Sequence, residues 1–554
     1  MDENFYNVRK FWSEDPYFDS DTRNTVTLLS DSDCKEAFGN DLEFGTGGLR
    51  GIMGVGTNRI NRYTVRKATA GLSAYLKKRK NDNLRVVIAY DSRNQSRELA
   101  EETALVLCAD GIKVYLFSEI SPTPMLSFAV RALFCDAGVV LTASHNPKEY
   151  NGYKVYASDG CQAVPSMAEE ISRCMDEITD IRQIVPMKKE EAIKKGLLSY
   201  VEQSVVEAFI TEVLKQASPL PTKTREALQV VYTPLHGTGR IPVQTALGRL
   251  GYRIHTVTEQ ELPDGDFPTV ASPNPEDPAA LALAVEQAKR IGADLVLGTD
   301  PDSDRVGVAS LHQGEYRLLT GNQIGALLVN YILNINHADT SHSVLVKTVV
   351  TSDLGAEIAR AQGVEVRETL TGFKYIGEQI GLLENEPNKR FLMGYEESYG
   401  YLIGTHARDK DAVVSSVVIC EMAAYYKTQN KTLIDVLDKI YAQFGYYRDA
   451  LDFFTIPGLD GMKKIKMLME HFRKNGDQIF QDVHEVLDYQ NGIANLPKSN
   501  VLKFCFKNGS WLAIRPSGTE PKIKIYYSVR GENSDDVEQS LKKYRIIVKQ
   551  AIDT

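Results

Sequence analysis

The sequence lacks paired cysteines and long apolar runs. Seven cysteines are scattered through 554 residues, and none of them forms a CxxC pair. An odd number of scattered cysteines favours free thiols in a reducing compartment over a disulfide framework. No segment approaches the ~18 consecutive apolar residues of a membrane span, and the acidic N-terminus has no apolar core of a secretory signal. We therefore expect a cytoplasmic protein with no membrane partner.

The sequence also lacks an excess of positive charge. It has 73 acidic and 64 basic side chains, which gives a net charge of −9. This negative charge repels nucleic acid and anionic membranes, so neither is an expected partner. A phosphorylated small molecule would be repelled as well, unless lysines, arginines and backbone N–H groups gather around it. Segments with that composition are present.

The length of the chain is too great for one hydrophobic core and predicts about three to five domains. Four short apolar strands end at polar, glycine-rich loops, in residues 136–147, 293–305, 390–400 and 510–521. Helix-type amphipathic segments such as 278–292 lie between them. This alternation predicts α/β domains with mixed, largely parallel sheets, and it places the polar loops at the carboxyl ends of the strands.

The last quarter of the sequence has fewer strand–helix alternations, which indicates an α+β domain. We therefore predict three α/β domains followed by a smaller α+β domain. The predicted domains are residues 1–212, 213–320, 321–443 and 444–554. The candidate linkers, which are polar or proline-rich, are residues 218–226, 311–317 and 444–453.

The segment GTDPDSDR (298–305) predicts a metal site. Its three aspartates alternate along the chain, and Pro301 excludes a helix interior. Like charges so close together repel each other and need a cation, and all-oxygen ligands favour Mg²⁺, Mn²⁺ or Ca²⁺ over zinc. The alternative is a solvated acidic turn. An EF-hand is disfavoured because its mid-loop glycine and its glutamate at the twelfth position are missing.

The segment TASHNP (142–147) places Ser144 directly after a strand. This serine can be a nucleophile or carry a phosphate, and its flanking residues do not form the elbow of the α/β-hydrolases. In the alternative interpretation Ser144 caps a turn and His145 lies on the surface. The metal loop favours a phosphoserine, because the phosphate would supply an anionic oxygen ligand to Mg²⁺. Lys154 follows closely and suits proton transfer or charge compensation.

Two further segments have the composition of phosphate-binding loops. FGTGGLRG (44–51) places glycines beside Arg50 and has neither a Walker nor a dinucleotide-binding pattern. RPSGTEPK (515–522) combines an arginine, which can pair with phosphate through two hydrogen bonds, with hydroxyls and a glycine. Its candidate phosphate contacts are Arg515, Ser517, Gly518 and Thr519, followed by Lys524. An exposed basic turn is the alternative.

Other polar segments contain candidate sugar contacts. GYEESYG (394–400) has Glu396 and Ser398, whose oxygens suit sugar hydroxyls, and HARDK (406–410) adds His406 and Lys410. In ETLTGFKYIG (368–377), Thr371 and Gly372 form a plain turn or approach a sugar ring by their backbone. HGTGR (236–240) is interpreted as a plain helix start rather than as another phosphate loop.

Together these motifs resemble those of the α-D-phosphohexomutase superfamily, the phosphoglucomutase/phosphomannomutase group. TASHNP, GTDPDSDR, GYEESYG and RPSGTEPK are similar to its phosphoserine, metal, sugar-binding and phosphate-binding loops, in the same order along nearly the whole chain. The closest resemblance is to bacterial members of the branch that includes phosphopentomutase-like proteins. The resemblance implies four domains around a central cleft, and interconversion of α-D-glucose 1-phosphate and glucose 6-phosphate through a phosphoserine and glucose 1,6-bisphosphate.

The resemblance also implies roles for individual residues. The metal ligands of one Mg²⁺ would be phosphorylated Ser144, Asp300, Asp302 and Asp304. The catalytic groups would be Ser144, His145, Lys154, Arg50, Arg305 and Lys410. Ser144 would carry the phosphoryl group, the two arginines would stabilise it, and His145, Lys154 and Lys410 would move protons. The substrate contacts would be Thr371, Gly372, Glu396, Ser398, His406, Arg515, Ser517, Gly518, Thr519 and Lys524.

The preferred sugar stays open at this point. Tyr395 stands where many phosphoglucomutases have glycine, whereas the retained Ser398 favours a hexose. The alternatives are a phosphomannomutase or phosphopentomutase on the same scaffold, or a sugar-phosphate-binding protein without catalysis. The intact serine and aspartates argue against a protein that only binds. We expect sugar phosphates as partners and a monomer or homodimer.

Overall fold

The computed structural model describes residues 3–45, 47–80, 82–335, 340–456, 461–493, 496–516 and 522–553. The chain divides into two compact units. The first unit consists of Met1–Leu318, Gly377–Asn385 and Gly400–Tyr425. The second unit consists of Leu319–Ile376, Glu386–Tyr399 and Tyr426–Thr554.

The helices and strands alternate through most of the chain. The α-helices are α1 (Glu3–Glu14), α2 (Ser20–Leu28), α3 (Asp31–Phe38), α4 (Arg62–Arg79), α5 (Ser96–Ala109), α6 (Thr123–Ala132), α7 (Pro165–Asp176), α8 (Lys189–Lys194), α9 (Gln203–Leu214), α10 (Thr222–Ala227), α11 (Arg240–Leu250), α12 (Thr258–Glu261), α13 (Ala282–Ile291), α14 (Gly321–Ile335), α15 (Leu354–Ala361), α16 (Phe373–Leu383), α17 (Ala412–Lys427), α18 (Leu433–Phe444), α19 (Gly461–Ile479) and α20 (Ser534–Asp553). Short 3₁₀ turns are Ile181–Gln183, Thr340–His342 and Tyr489–Asn491.

The strands are β1 (Gly48–Ile52), β2 (Arg85–Tyr90), β3 (Lys113–Leu116), β4 (Ala137–Leu141), β5 (Tyr150–Ala157), β6 (Leu198–Tyr200), β7 (Gln229–Thr233), β8 (Arg253–Thr256), β9 (Leu295–Thr299), β10 (Val306–His312), β11 (Glu315–Leu319), β12 (Ser343–Thr348), β13 (Glu365–Thr369), β14 (Arg390–Glu396), β15 (Gly400–Ile403), β16 (Tyr446–Thr455), β17 (Val483–Asp488), β18 (Leu502–Phe506), β19 (Trp511–Pro516) and β20 (Lys522–Gly531).

The first unit contains two mixed sheets. One has the order β1-β5-β4-β2-β3-β6, in which β4, β2, β3 and β6 are parallel and β5 runs against both neighbours. The other has the order β11-β10-β9-β7-β8, with β9, β7 and β8 parallel. Every residue of β4 and β9 is buried. Strands covered on both faces need an uninterrupted apolar run, which is the pattern that both segments show.

The second unit contains a group of parallel strands and a separate C-terminal antiparallel sheet. Strand β12 lies between β13 and β14 and is parallel to both. The C-terminal sheet has the order β16-β20-β19-β18-β17, and all its neighbours are antiparallel. Helices α19 and α20 supply apolar residues to the core on one face of this sheet. The prediction of α/β domains with a C-terminal α+β domain is confirmed.

The predicted elements at the polar loops are confirmed. Strands β4, β9, β14 and β19 end where the sequence pattern places the loops, and helix α13 lies within the predicted helical segment. Two predicted linkers are wrong: residues 311–317 comprise the end of β10, a hairpin turn and the start of β11, and residues 444–453 belong largely to β16. Both have polar side chains because a hairpin turn and an edge strand face solvent, so their composition resembles that of a linker.

The cysteines have free thiols, and the described helices fall short of the length or the hydropathy of a membrane span. All seven cysteines have free thiols, and all except Cys505 are buried. Burial raises the pKa of Cys108 to about 12 and that of Cys135 to about 12, so these thiols stay protonated. Within the described ranges, no helix combines the length and the apolar character needed to traverse a bilayer.

Gly48 provides a test of how β1 joins its sheet. Its φ is +151°, and a Cβ here would overlap the backbone of Tyr153 on β5. We expect Gly48→Ala to lower the melting temperature, because it adds a clash of about 1–3 kcal/mol to the backbone strain. Gly111→Ala is the control, since Gly111 also has a positive φ but open space around its Cα. Equal melting temperatures of the two variants would contradict this packing.

Candidate active site

The serine loop follows β4 in the first unit. Ser144 is 2% exposed and has a φ of +52°, a left-handed conformation that is uncommon for a residue with a side chain. Its backbone N–H donates to Thr142 Oγ1 at 2.8 Å, which holds the turn. The Ser144 hydroxyl donates to Asp300 Oδ2 at 2.7 Å. The two motifs, which are separated by 156 residues in the chain, therefore meet directly.

The metal loop follows β9 in the same unit. One carboxylate oxygen from each of Asp300, Asp302 and Asp304 lies within 4.8 Å of the others, and all three residues are buried. Asp300 Oδ1 accepts hydrogen bonds from the backbone N–H groups of Asp304 and Arg305, at 3.1 and 3.0 Å. The loop therefore curls around the first carboxylate and turns the other two toward the same point.

Two lysines neutralise part of this acidic cluster. Lys154 Nζ lies 2.8 Å from Asp302 Oδ2, and Lys410 Nζ lies 3.1 Å from Asp304 Oδ2. Burial and the two neighbouring carboxylates raise the pKa of Asp300 well above its usual range. Burial alone would raise the pKa of Asp302 too, but the ion pair with Lys154 outweighs it and lowers that pKa. Ionisation of all three carboxylates at once is therefore unfavourable unless more positive charge is nearby.

The carboxylate trio fits a divalent cation. Asp302 Oδ1 and Asp304 Oδ1 are buried and accept no hydrogen bond from any described residue. A buried carboxylate oxygen without a partner is costly, and a cation would relieve that cost. The donor set is all oxygen, which suits Mg²⁺, Mn²⁺ or Ca²⁺. The serine hydroxyl beside Asp300 lies where an anionic ester could add another oxygen.

His145 lies against the serine that precedes it. Its Nδ1 is 3.2 Å from Ser144 Oγ, and its carbonyl accepts a hydrogen bond from Ser272 Oγ at 2.6 Å. Burial and the charges of Arg305 and Arg50 lower the pKa of His145 well below its usual range. The imidazole is therefore neutral near pH 7 and can act as a hydrogen-bond acceptor, not as a fixed cation.

Lys410 is held by a neighbouring carboxylate as well as by the metal loop. Asp409 Oδ1 accepts from the backbone N–H of Lys410 at 2.8 Å and from its Nζ at 3.2 Å. The other oxygen of Asp409 accepts from the Tyr156 hydroxyl at 2.6 Å. Tyr156 lies two residues after Lys154 on β5, so that strand helps to place both lysines.

The two predicted arginines flank the loops. Arg50 Nη1 donates to Asn146 Oδ1 at 3.1 Å, which brings β1 to the serine loop. Arg305 forms an ion pair with Glu276, and its Nε lies 3.8 Å from Asp304 Oδ1. His406 is 7% exposed, and its Nε2 pairs with Asp411 Oδ2 at 2.8 Å. The structure brings the predicted catalytic residues together but gives His406 a partner within its own loop.

The predicted sugar-binding residues belong to the second unit. Glu396 is 7% exposed, and its Oε1 accepts from the backbone N–H of Gly372 at 2.9 Å. The predicted pair Thr371-Gly372 therefore contacts the GYEESYG motif through the backbone of Gly372. Ser398 lies in the turn after β14 and is half-buried.

The predicted phosphate-binding residues are described only in part. Arg515 on β19 lies opposite Lys524 on β20 in the antiparallel register. Ser517, Gly518 and Thr519 fall outside the described residues. Lys374, at the start of α16, was not among the phosphate contacts predicted from the sequence. Its burial and the positive charge of Arg515 lower the pKa of its ammonium group to about 8.

Comparisons with known proteins find matches to four consecutive domains of one family. The four domains of the phosphoglucomutase/phosphomannomutase family match residues 41–182 (alpha/beta/alpha domain I), 207–313 (domain II), 320–444 (domain III) and 464–539 (C-terminal domain). The chain belongs to this family. Its sugar-phosphate mutases are isomerases that transfer a phosphoryl group, so the predicted family and enzyme class are confirmed.

Individual relatives agree with the family match. The phosphoglucomutases of Staphylococcus aureus strains MSSA476 and MRSA252 are each 40% identical over 542 residues, covering 94% of this chain and 96% of theirs. A putative phosphomannomutase from Thermus thermophilus has a TM-score of 0.69 at 22% identity, covering 92% of this chain and 99% of its own. Parafusin, a phosphoglucomutase from Paramecium, has a TM-score of 0.68 at 18% identity, covering 91% of this chain and 94% of its own. These two structures support the fold alone.

Tyr395, within GYEESYG, stands where many phosphoglucomutases have glycine, and its side chain packs against two helices. Its ring is fully buried and lies against Gly325 of α14 and Gly355 of α15. A Cβ on either glycine would overlap the tyrosine, so the small residues make room for the large one. The substitution is therefore a packing feature of β14, and it gives no reason to favour a pentose.

Several residues that position the site of this mutase-family chain were not predicted from the sequence. Thr238 in HGTGR donates its N–H to Pro301 O at 2.9 Å and lies 3.0 Å from Ser303 Oγ. The segment precedes α11 as predicted, but it also packs against the metal loop. Asp91 and Arg93, in the polar segment after β2, contact the serine loop. Asp91 and Arg93 could have been predicted from the pattern that marks the serine and metal loops, in which a buried apolar strand ends at polar residues.

Removing one carboxylate should weaken cation binding. Asp304→Asn replaces an anionic oxygen ligand with a neutral amide, so we expect Mn²⁺ affinity to fall on the order of 100-fold. Isothermal titration calorimetry with Mn²⁺ on the full chain measures this, with Asp176→Asn on the exposed end of α7 as the control. An Asp304→Asn affinity equal to that of the control would exclude a cation at this cluster.

Proposed function

We propose that the chain is a phosphoglucomutase that interconverts α-D-glucose 1-phosphate and glucose 6-phosphate. The proposal depends on one observation, the 2.7 Å hydrogen bond between the Ser144 hydroxyl and the first of three buried carboxylates. A protein that only binds sugar phosphates needs no nucleophile beside a cation site. The 40% identity to proteins named phosphoglucomutase, over 94% of this chain, supports glucose as the sugar.

In this proposal Ser144 carries the phosphoryl group. A hydroxyl oxygen of the sugar attacks the phosphorus and loses its proton to a base, while the bond between phosphorus and Ser144 Oγ breaks and Oγ takes up a proton to become the free hydroxyl. The glucose 1,6-bisphosphate that results then returns its other phosphoryl group to Ser144. Phosphoryl transfer of this kind needs positioning and charge neutralisation more than covalent chemistry.

The first unit supplies the groups for the transfer. Asp300, Asp302 and Asp304 would hold one Mg²⁺ together with an oxygen of phosphorylated Ser144. When bound, that ion would neutralise charge on the phosphoryl oxygens. The arginines Arg50 and Arg305 would stabilise the same oxygens by charge-assisted hydrogen bonds.

The proton would be moved by a group next to the cluster. Lys154, Lys410 and His145 are the candidates, because each lies within hydrogen-bonding distance of Ser144 or of a metal-loop carboxylate. The lowered pKa of His145 keeps its imidazole neutral and therefore able to accept a proton. Each lysine would have to lose a proton before it could accept one.

The predicted sugar-binding and phosphate-binding motifs would contact the sugar and its non-reacting phosphate. Glu396 is oriented by the backbone N–H of Gly372, which supports its role as an acceptor for sugar hydroxyls, with Ser398 and Thr371 nearby in the same motifs. Arg515 and Lys524 are adjacent cations on β19 and β20. The remaining proposed contacts are Ser517, Gly518 and Thr519, together with His406 of the HARDK segment.

Several further assignments belong to the proposal. The retained Ser398 supports a hexose over a pentose, with phosphomannomutase activity as the second candidate. The free thiols support a cytoplasmic location. We keep the division into domains 1–212, 213–320, 321–443 and 444–554, which the four matched ranges support. We propose a monomer or a homodimer.

A coupled assay for glucose 6-phosphate tests the proposal. With glucose 1-phosphate and Mg²⁺ we expect turnover that rises when a trace of glucose 1,6-bisphosphate is added, because the bisphosphate phosphorylates Ser144. Ser144→Ala should fold normally and lose activity by at least roughly 10³-fold, since no other group can carry the phosphoryl. Rates with mannose 1-phosphate and ribose 1-phosphate, measured in parallel, rank the sugars.

Two outcomes would contradict this assignment. Near-normal turnover by Ser144→Ala would exclude the phosphoserine, and a faster reaction with mannose 1-phosphate than with glucose 1-phosphate would replace the proposed substrate.

Arg515 provides a test of phosphate binding in the second unit. Arg515→Ala should raise KM for glucose 1-phosphate about 10- to 100-fold, because a hydrogen bond to a charged group contributes about 1.5–3 kcal/mol. Its effect on kcat should be smaller. Arg360→Ala is the matched control, because Arg360 is half-exposed and pairs only with Glu357 on its own helix in the described residues. An unchanged KM in Arg515→Ala would remove this residue from the phosphate contacts.

A further inference from the structure

Arg93 contacts the serine loop more extensively than any predicted residue does. Its side chain is fully buried after β2, and its guanidinium donates to the carbonyl oxygens of Pro147 and Tyr150 at 2.9 and 3.0 Å. The same group also donates to the carbonyls of Ser144 and Asn146. One planar guanidinium therefore donates hydrogen bonds to four backbone carbonyls of the segment that follows β4.

Asp91 connects the same side chain to the start of the loop. Its Oδ2 lies 3.3 Å from Arg93 Nε and accepts from the Thr142 hydroxyl at 2.6 Å. Thr142 Oγ1 in turn accepts from the backbone N–H of Ser144 at 2.8 Å. The pair therefore holds the serine from both sides: through Thr142 at its N–H, and through Arg93 at its carbonyl.

The pair is itself fixed by its surroundings. Asp91 Oδ1 accepts from Ser96 Oγ at 2.8 Å and from the backbone N–H of Arg93 at 2.9 Å. The ring of Phe267 lies 5.1 Å from the guanidinium carbon of Arg93. Such stacking on an aromatic face suits a planar guanidinium and would not be reproduced by an ammonium.

These contacts act on a strained residue. Ser144 has a φ of +52°, which a residue with a Cβ adopts only when its surroundings require it. Both its N–H and its carbonyl are engaged by groups that depend on Asp91 or Arg93. The hydroxyl direction follows from this backbone conformation, and it is the direction that places Oγ 2.7 Å from Asp300.

We propose that Asp91 and Arg93 form a positioning pair that fixes the Ser144 backbone, so that the oxygen carrying the phosphoryl group faces the metal loop. Both side chains are fully buried and contact the serine loop, so the pair acts through that loop. This inference rests on the proposed function, in which Ser144 is the phosphoryl carrier.

Arg93→Lys tests the pair, because lysine keeps the charge but cannot reach four carbonyls in one plane. We expect kcat for glucose 1-phosphate to fall on the order of 100-fold, as for a misplacement of about 1 Å, with KM changed less than about threefold. The ³¹P resonance of phosphorylated Ser144 should shift relative to wild type. If Arg93 had a purely structural role, Arg93→Lys would not lower kcat selectively over KM, and the ³¹P resonance would stay at its wild-type position.

Arg225→Lys is the matched control. Arg225 is also largely buried, pairs with buried Glu421 at 3.4 Å, and donates to a backbone carbonyl at Ser218, away from the serine loop. It should keep its kcat and the wild-type ³¹P resonance. A loss of kcat in Arg93→Lys no larger than in Arg225→Lys, or an unmoved resonance, would overturn the positioning role.

A second pair of variants applies if Arg93→Lys does not fold. Thr142→Val removes the hydroxyl that joins Asp91 to the Ser144 N–H, whereas Thr142→Ser keeps it. We expect kcat to fall in the valine variant and to be restored in the serine variant; equal activity in both would overturn the inference. Absence of turnover by the wild-type protein would instead contradict the proposed function, so the two failures are distinguishable.

Discussion

The mutual repulsion of three buried carboxylates is the constraint on which the site depends. Asp300, Asp302 and Asp304 cannot all be ionised in a space of 4.8 Å without nearby positive charge. Lys154 and Lys410 supply part of that charge, and the unsatisfied oxygens of Asp302 and Asp304 leave a place for more. A cation bound there would in turn attract the anionic ester that we propose on Ser144.

The surrounding loops resist this repulsion by close packing. Ser144 and Ser303 both adopt positive φ, and each is held by a hydrogen bond with another segment, from Arg93 to the Ser144 carbonyl and between the hydroxyls of Thr238 and Ser303. Thr238 supports the metal loop, and Arg93 supports the serine loop. Charge and conformational strain are thus concentrated at the carboxyl ends of β4 and β9, where rigid, fully buried strands hold them in place.

Much of the fold could be predicted because the strands obey local rules. Buried parallel strands need continuous apolar runs, and β4 and β9 show them. The two linker errors arose where exposed structured segments have the same polar composition as a linker. The packing role of Tyr395 could not be predicted for a different reason: it depends on glycines of α14 and α15 that are distant in the chain, and no local pattern connects them.

The sequence by itself determined which chemical groups are present and in what order: a serine loop, an acidic loop, an acceptor-rich turn and an arginine loop, each at the end of a strand. Only the tertiary structure decided which of them meet. It brought Ser144 to Asp300, gave Lys154 and Lys410 separate carboxylates, and placed Arg93 under the serine loop. The physical reason is that composition and spacing act within a few residues, whereas these contacts depend on strand order and register between segments that are distant in the chain.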